Sequence, residues 1–227
     1  MSEVMERDEV HFWPCRIAEH SHRLPEFEAS LSPDETARAA AFRFQELRDR
    51  FVVCRGLLRN LLGNYLDEAP GLMEFRYNPC GKPSLAGSHR TAGLRFNLAH
   101  SHGTAVFAFA LDREIGVDVE FLRADFVLED ARLFAPSELQ QLRSLSGEEK
   151  VREFFRLWTQ KEALLKAAGT GFNAPWQIVS EPDTIWSVMD MKCFDGYAAA
   201  LAAEGSGFHI TRKVHLGAME IRLKSDR

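Results

Sequence analysis

Two helix starts of the same form, 103 residues apart, constrain the fold more than any other feature of this chain. Leu31-Ser32-Pro33-Asp34-Glu35 offers Ser32 as a cap and Pro33 at the first helical position, and Phe134-Ala135-Pro136-Ser137-Glu138 repeats the pattern. Each start leads into a longer helical segment, 48–63 and 151–169, and each segment closes on a glycine suited to a C-cap. Strand-like segments follow in both parts: 94–98 and 104–111, then 208–211 and 218–223. Helices then strands, twice over, predict an α+β chain of two pseudo-symmetric halves, 1–113 and 114–227, each a small sheet packed with helices. Two unrelated amphipathic helices can also look alike, so chance similarity is the competing explanation.

The 227 residues and 45% apolar content suffice for such cores. A net charge of −5 argues against a general grip on nucleic acid and leaves small molecules or other proteins as partners. The acidic start MSEVMERDEV lacks an apolar run of signal-peptide length, and no stretch approaches the roughly 20 apolar residues of a membrane span, so a cytoplasmic protein is expected. Cys15, Cys54, Cys80 and Cys193 show no paired spacing and read as reduced thiols.

The chemistry concentrates in a few stretches. In Gly116-Val117-Asp118-Val119-Glu120 the alternation of a strand sends both carboxylates to one face and both valines to the other. The anions are either the solvated face of an edge strand or are gathered around something positive. Glu162 and Lys166, at helical i,i+4 spacing, form an ordinary surface pair or, if they face Asp118 and Glu120, complete an oxygen-donor set suited to Mg²⁺ with a phosphate-binding lysine beside it. Lys82 lies in the turn NPCGKP. His100 and Ser101 end the alternating stretch FNLAHS, and Arg48, Arg50, Arg55 and Arg59 lie on the first long helix.

Taken in order, NPCGKPSL, FNLAHS, GVDVE and LWTQKEALLKAAGTGF resemble the 4′-phosphopantetheinyl transferase superfamily, specifically its surfactin-type, two-half members. These carry a GKP turn, an FNxSHS strand, G(I/V)DxE and WxxKEAxxK. The resemblance implies transfer of the phosphopantetheine arm of coenzyme A to a serine of an acyl or peptidyl carrier protein, leaving adenosine 3′,5′-bisphosphate. It implies Asp118, Glu120 and Glu162 as Mg²⁺ ligands, and Lys166 as a phosphate ligand that steadies the departing bisphosphate. Glu162, ahead of a water on the metal, is the base for the carrier serine. His100 and Ser101, with Arg55 and Arg48 and with Arg50 as the alternative to Arg48, would serve the phosphates of coenzyme A, while Lys82 would lie at the adenosine end. The resemblance also implies a monomer with its active site in the cleft between the halves. Ala99 departs from it, standing where the family has a serine, which predicts the loss of about one hydrogen bond to phosphate, ~1 kcal/mol. Two alternatives come from other classes: a non-catalytic coenzyme A binding module, and a metal-dependent hydrolase with His100, His102 and Asp118 as ligands.

Overall fold

The computed structural model describes residues 5–126, 134–170 and 185–213. Two similar runs of elements follow one another. The first opens with strand β1 (Glu9–Arg16), passes through a 3₁₀ segment to helices α1 (Leu24–Ser30), α2 (Pro33–Ala40) and α3 (Gln45–Leu66), and continues into the hairpin β2 (Phe75–Tyr77) and β3 (Pro83–Leu85). It ends with β4 (Leu94–Ser101) and β5 (Thr104–Leu111). The second run comprises β6 (Ile115–Phe121), α4 (Pro136–Ser144), α5 (Gly147–Ala168), β7 (Trp186–Asp190) and β8 (Tyr197–Glu204). In space the orders β4-β5-β1 and β7-β8-β6 match, and β1–β5 and β6–β8 are both antiparallel. The last strand, β9 (His209–Arg212), returns to pair in parallel with β1.

The layers run α3, four-stranded sheet, three-stranded sheet, α5. Alternation in each strand builds them. Along β5, Ala105, Phe107 and Phe109 face α3, whereas Val106, Ala108 and Ala110 join Val117, Val119 and Leu201 in a core between the sheets. On β8, Ala200 and Ala202 face Ala163 and Ala167 of α5. Small side chains on both surfaces let helix and sheet approach closely.

The echoed glutamates explain why the two helix starts look alike. Glu35 accepts the Ser32 N–H at 3.1 Å, and the same carboxylate pairs with Arg55 and Arg59 of α3 at 3.3 and 2.7 Å. Glu138 accepts the Ala135 N–H at 2.7 Å and pairs with Lys161 of α5 at 2.8 Å. In each case one carboxylate closes the N-terminus of the short helix and latches it to the long one.

Two expectations need correction. Gly63 does not end its helix: α3 runs on to Leu66 and stops at Asp67, whose φ of 52° is left-handed. The carbonyl of Glu68 packs where a Cβ on Gly63 would stand, which is the reason for that glycine. Gly169, with φ of 71°, does cap α5. Each run also begins with a strand, so the order is strand, helices, strands. The expected strand 218–223 lies outside the described residues.

Candidate active site

Strand β6 is the edge of its sheet, yet its acidic face is not solvated. Gly116, Asp118 and Glu120 face α5, and Asp118 is 4% exposed. Gly116 permits this. A Cβ there would overlap the Ala163 carbonyl oxygen and the Ala167 backbone nitrogen, so strand and helix meet backbone to backbone. The approach brings Asp118 to the last turns of α5, where Lys166 Nζ donates to Asp118 Oδ1 at 2.6 Å. Glu162, one turn earlier, is 7% exposed.

The electrostatics confirm that these groups converge. Burial, and then the negative charge of Asp118, hold the Glu162 carboxyl at about 7, with Glu120 adding to the same effect against the opposing pull of Lys166. Burial likewise lifts Asp118 to about 6, although Lys166 pulls the other way. Two oxygens, Asp118 Oδ2 and Glu162 Oε1, are buried without any hydrogen-bond partner. Unpartnered buried carboxylate oxygens are costly, and these two belong to side chains that repel each other. Hard oxygen donors of this kind fit Mg²⁺, which takes a few carboxylates and completes its shell with water and phosphate. Among the described residues no group of three acidic, histidine or cysteine side chains is already closed at metal-ligand spacing. Lys166 stands on Asp118, and Glu120 accepts the Ser101 hydroxyl at 2.9 Å.

The opposite wall comes from the first run. His100 is exposed near the end of β4, but neighbouring atoms displace much of its hydration, and the charges of Arg50, Lys166 and Arg38 add to that loss. Together they hold the ring below the usual histidine range. Arg50 also donates to the His102 carbonyl at 3.4 Å. Arg48 is held by Glu28 at 2.6 Å, and Arg55, 7% exposed, pairs with Glu35 at 3.3 Å. Arg50, weighed only as a substitute for Arg48, and Arg38, missed altogether, are the cations beside His100. Arg38 sits on the short helix α2, where an arginine carries no sequence mark distinguishing it from a surface charge.

Lys82 has other partners as well. Its Nζ donates to Glu114 and to the Ala167 carbonyl, both at 2.8 Å. Asn78 and Cys80 of the same turn donate to the carbonyls of Gly169 and Thr170, so the NPCGKP turn caps the C-terminus of α5 from the other run. Ala99 is buried in the core between the sheets, on the face of β4 opposite His100. His102, φ 48°, packs at a tilt against Phe121 with ring centroids 4.7 Å apart and does not gather with His100 and Asp118 into a ligand set.

On this layered α+β fold the buried carboxylates of Asp118 and Glu162, with half-buried Glu120 beside them, face basic residues of the first run. Comparison supplies the class. Residues 114–211 match the model of the 4′-phosphopantetheinyl transferase superfamily. The chain is 41% identical over 213 residues to 4′-phosphopantetheinyl transferase HetI of Nostoc sp., covering 88% of this chain and 90% of that protein. It is 39% identical over 152 residues to a putative 4′-phosphopantetheinyl transferase of Synechocystis sp., spanning 66% of this chain and 61% of the relative. A 4′-phosphopantetheinyl transferase of Bacillus subtilis is 24% identical over 147 residues, 65% of this chain and 64% of its own. The chain belongs to the 4′-phosphopantetheinyl transferase superfamily. No helix among the described residues is long and apolar enough to cross a membrane.

Proposed function

We propose that this chain is a surfactin-type 4′-phosphopantetheinyl transferase in which Asp118, Glu120 and Glu162 hold Mg²⁺ and the cleft between the two halves receives coenzyme A. The ion, when bound, neutralises the pyrophosphate and the developing negative charge of phosphoryl transfer. Everything else falls to side chains. Lys166 moves from Asp118 to the phosphates and steadies the departing adenosine 3′,5′-bisphosphate. Arg50, Arg38 and His100 take the 3′-phosphate, whose charge favours protonation of a ring otherwise kept neutral. The burial of Ala99 away from His100 argues that the missing hydroxyl weakens no contact on that side. Glu162 accepts the proton of the carrier serine.

The carrier is an acyl or peptidyl carrier protein of fatty-acid, polyketide or nonribosomal peptide synthesis. The enzyme works in the cytoplasm as a monomer, its halves dividing at residues 113 and 114. One observation carries the reading: Asp118 and Glu162, from different elements, meet as buried anions with an unpartnered oxygen on each. The test is to incubate the protein with coenzyme A, Mg²⁺ and an apo carrier protein and then weigh the carrier. A gain of one phosphopantetheine group is expected, and its absence with acyl and peptidyl carriers alike would refute the assignment.

A further inference from the structure

Strand β6 has two edges, and only one of them is used by its own sheet. β8 pairs along Ile115–Phe121, and the other edge faces β4 of the first sheet. No backbone ladder joins β4 to β6; side chains do the work instead. The Asn97 carboxamide oxygen accepts the Val117 N–H at 2.9 Å, and the Ser101 hydroxyl oxygen accepts the Phe121 N–H at 3.1 Å. Ser101 also donates its proton to Glu120 Oε2 at 2.9 Å. The spacing has a simple origin. Residues 97 and 101 lie four apart on β4 and share a face, residues 117 and 121 lie four apart on β6, and two extended chains rise equally per residue. Asn97 is 4% exposed, so its amide is not a surface contact made in passing.

We infer that Asn97 and Ser101 are positioning residues that fix the carboxylates of β6 relative to the phosphate-binding wall, an inference that rests on the transferase reading. Asn97 holds the backbone immediately before Asp118. Ser101 holds the backbone immediately after Glu120 and orients the Glu120 carboxylate directly. His100 lies between them in sequence and points to the other face of the strand, so β4 carries a phosphate ligand on one side and a template for the metal strand on the other. Ser101 thus acts on the anions across the cleft, and the role expected from resemblance alone, contact with coenzyme A phosphate, is secondary.

Mn²⁺ binding in the presence of coenzyme A, with free Mn²⁺ counted by electron paramagnetic resonance, separates the roles. Loss of a partner that orients a metal ligand typically weakens metal affinity 10- to 100-fold. Ser101→Ala is expected to raise the Mn²⁺ dissociation constant about 10-fold and to leave the KM for coenzyme A within about 3-fold at saturating Mg²⁺, with Ser101→Thr restoring most of the loss. Asn97→Asp, which keeps an acceptor, is expected to bind Mn²⁺ better than Asn97→Ala. A raised KM for coenzyme A with unchanged Mn²⁺ affinity in Ser101→Ala would overturn the inference. So would equal Mn²⁺ affinity in all variants, or an Asn97→Asp no better than Asn97→Ala. Should Asn97→Ala fail to fold, the serine pair decides alone. A wild-type protein that loads a carrier but gives unchanged variants refutes only the positioning role; one that neither binds Mn²⁺ nor loads a carrier refutes the transferase reading as well.

Discussion

Each 22-residue helix presses a cluster of charges against its neighbours, and the two clusters are opposites. On α3, Arg55 and Arg59 enclose the single carboxylate of Glu35, and Arg59 spends further N–H groups on the carbonyls of Pro70 and Met73 at 3.0 Å each. On α5, Lys166 faces Asp118, with Glu162 and Glu120 close enough to disturb it. The first cluster sets two guanidinium groups around one carboxylate and ties α2, α3 and the following loop together. The second leaves anions in excess, with Asp118 and Glu162 pushed toward protonation by burial. A site that must accept a cation keeps a deficit of positive charge, whereas a structural cluster has no use for one. The same pair of elements therefore serves folding in one run and, on the proposed reading, chemistry in the other.

The sharpest test of this contrast removes an anion from each cluster. Glu35→Gln leaves two buried guanidinium groups without a counter-charge and is expected to lower stability by about 3–5 kcal/mol, measured by urea unfolding, with loading per folded molecule unchanged. Glu162→Gln and Asp118→Asn are expected to do the reverse, reducing carrier loading roughly 10²–10³-fold while the melting temperature holds or rises. Near-normal loading in either acidic-site variant, or an inactive but fully stable Glu35→Gln, would erase the distinction.

Acidity provides the next test. In the absence of a divalent ion the folded chain holds a proton on Glu162 up to about pH 7, whereas the unfolded chain releases it near 4.5. Between those values the unfolded state ionises and the folded state resists, so this group lowers stability as pH rises, by ~3 kcal/mol at most, and the loss levels off above pH 7. Asp118 contributes in the same direction up to about pH 6. Urea unfolding of the metal-free protein is therefore expected to show less decline from pH 5 to pH 8 in Glu162→Gln than in wild type. Identical slopes would place Glu162 outside the strained cluster.

How much of this was legible in the sequence follows from which interactions are local. The α5 cap and the alternation of β6 are set by near neighbours, and the structure has them as expected, whereas Lys166 leaves its i,i+4 neighbour Glu162 to pair with Asp118. β8, YAAALAAE, escaped notice because alanine is the strongest helix former and only burial against α5 makes this stretch a strand. β1 escaped because Pro14 argues against an interior strand. β9 pairs only with Glu9–Phe12, so the proline stands beyond the stretch flanked on both sides. Gly116 reads as a turn residue until α5 is seen against it, and Asn97 as an ordinary strand residue until β6 arrives at its amide. The buried carboxylates were visible as types at a spacing; their raised pKa values depend on the packing of β6 against α5, which no local pattern encodes.

The arginines of α3 give the smallest and most discriminating effect. Residues 50 and 55 lie on one helix five positions apart, and chemistry alone makes either fit for a phosphate. Packing separates them: Arg55 is sealed against Glu35 and lies over the Phe75 ring at 5.5 Å, whereas Arg50 reaches the β4–β5 turn and adds its charge to the surroundings of His100. Arg50→Met is expected to raise the KM for coenzyme A about 10-fold, the worth of one charge-assisted contact of ~1.4 kcal/mol, with little change in stability. Dephospho-coenzyme A, which lacks the 3′-phosphate, should feel the substitution hardly at all. Arg55→Met is expected to lose stability and leave the KM alone. The opposite pattern would mean that Glu35 releases Arg55 when coenzyme A binds, and the first cluster would then belong to the site after all.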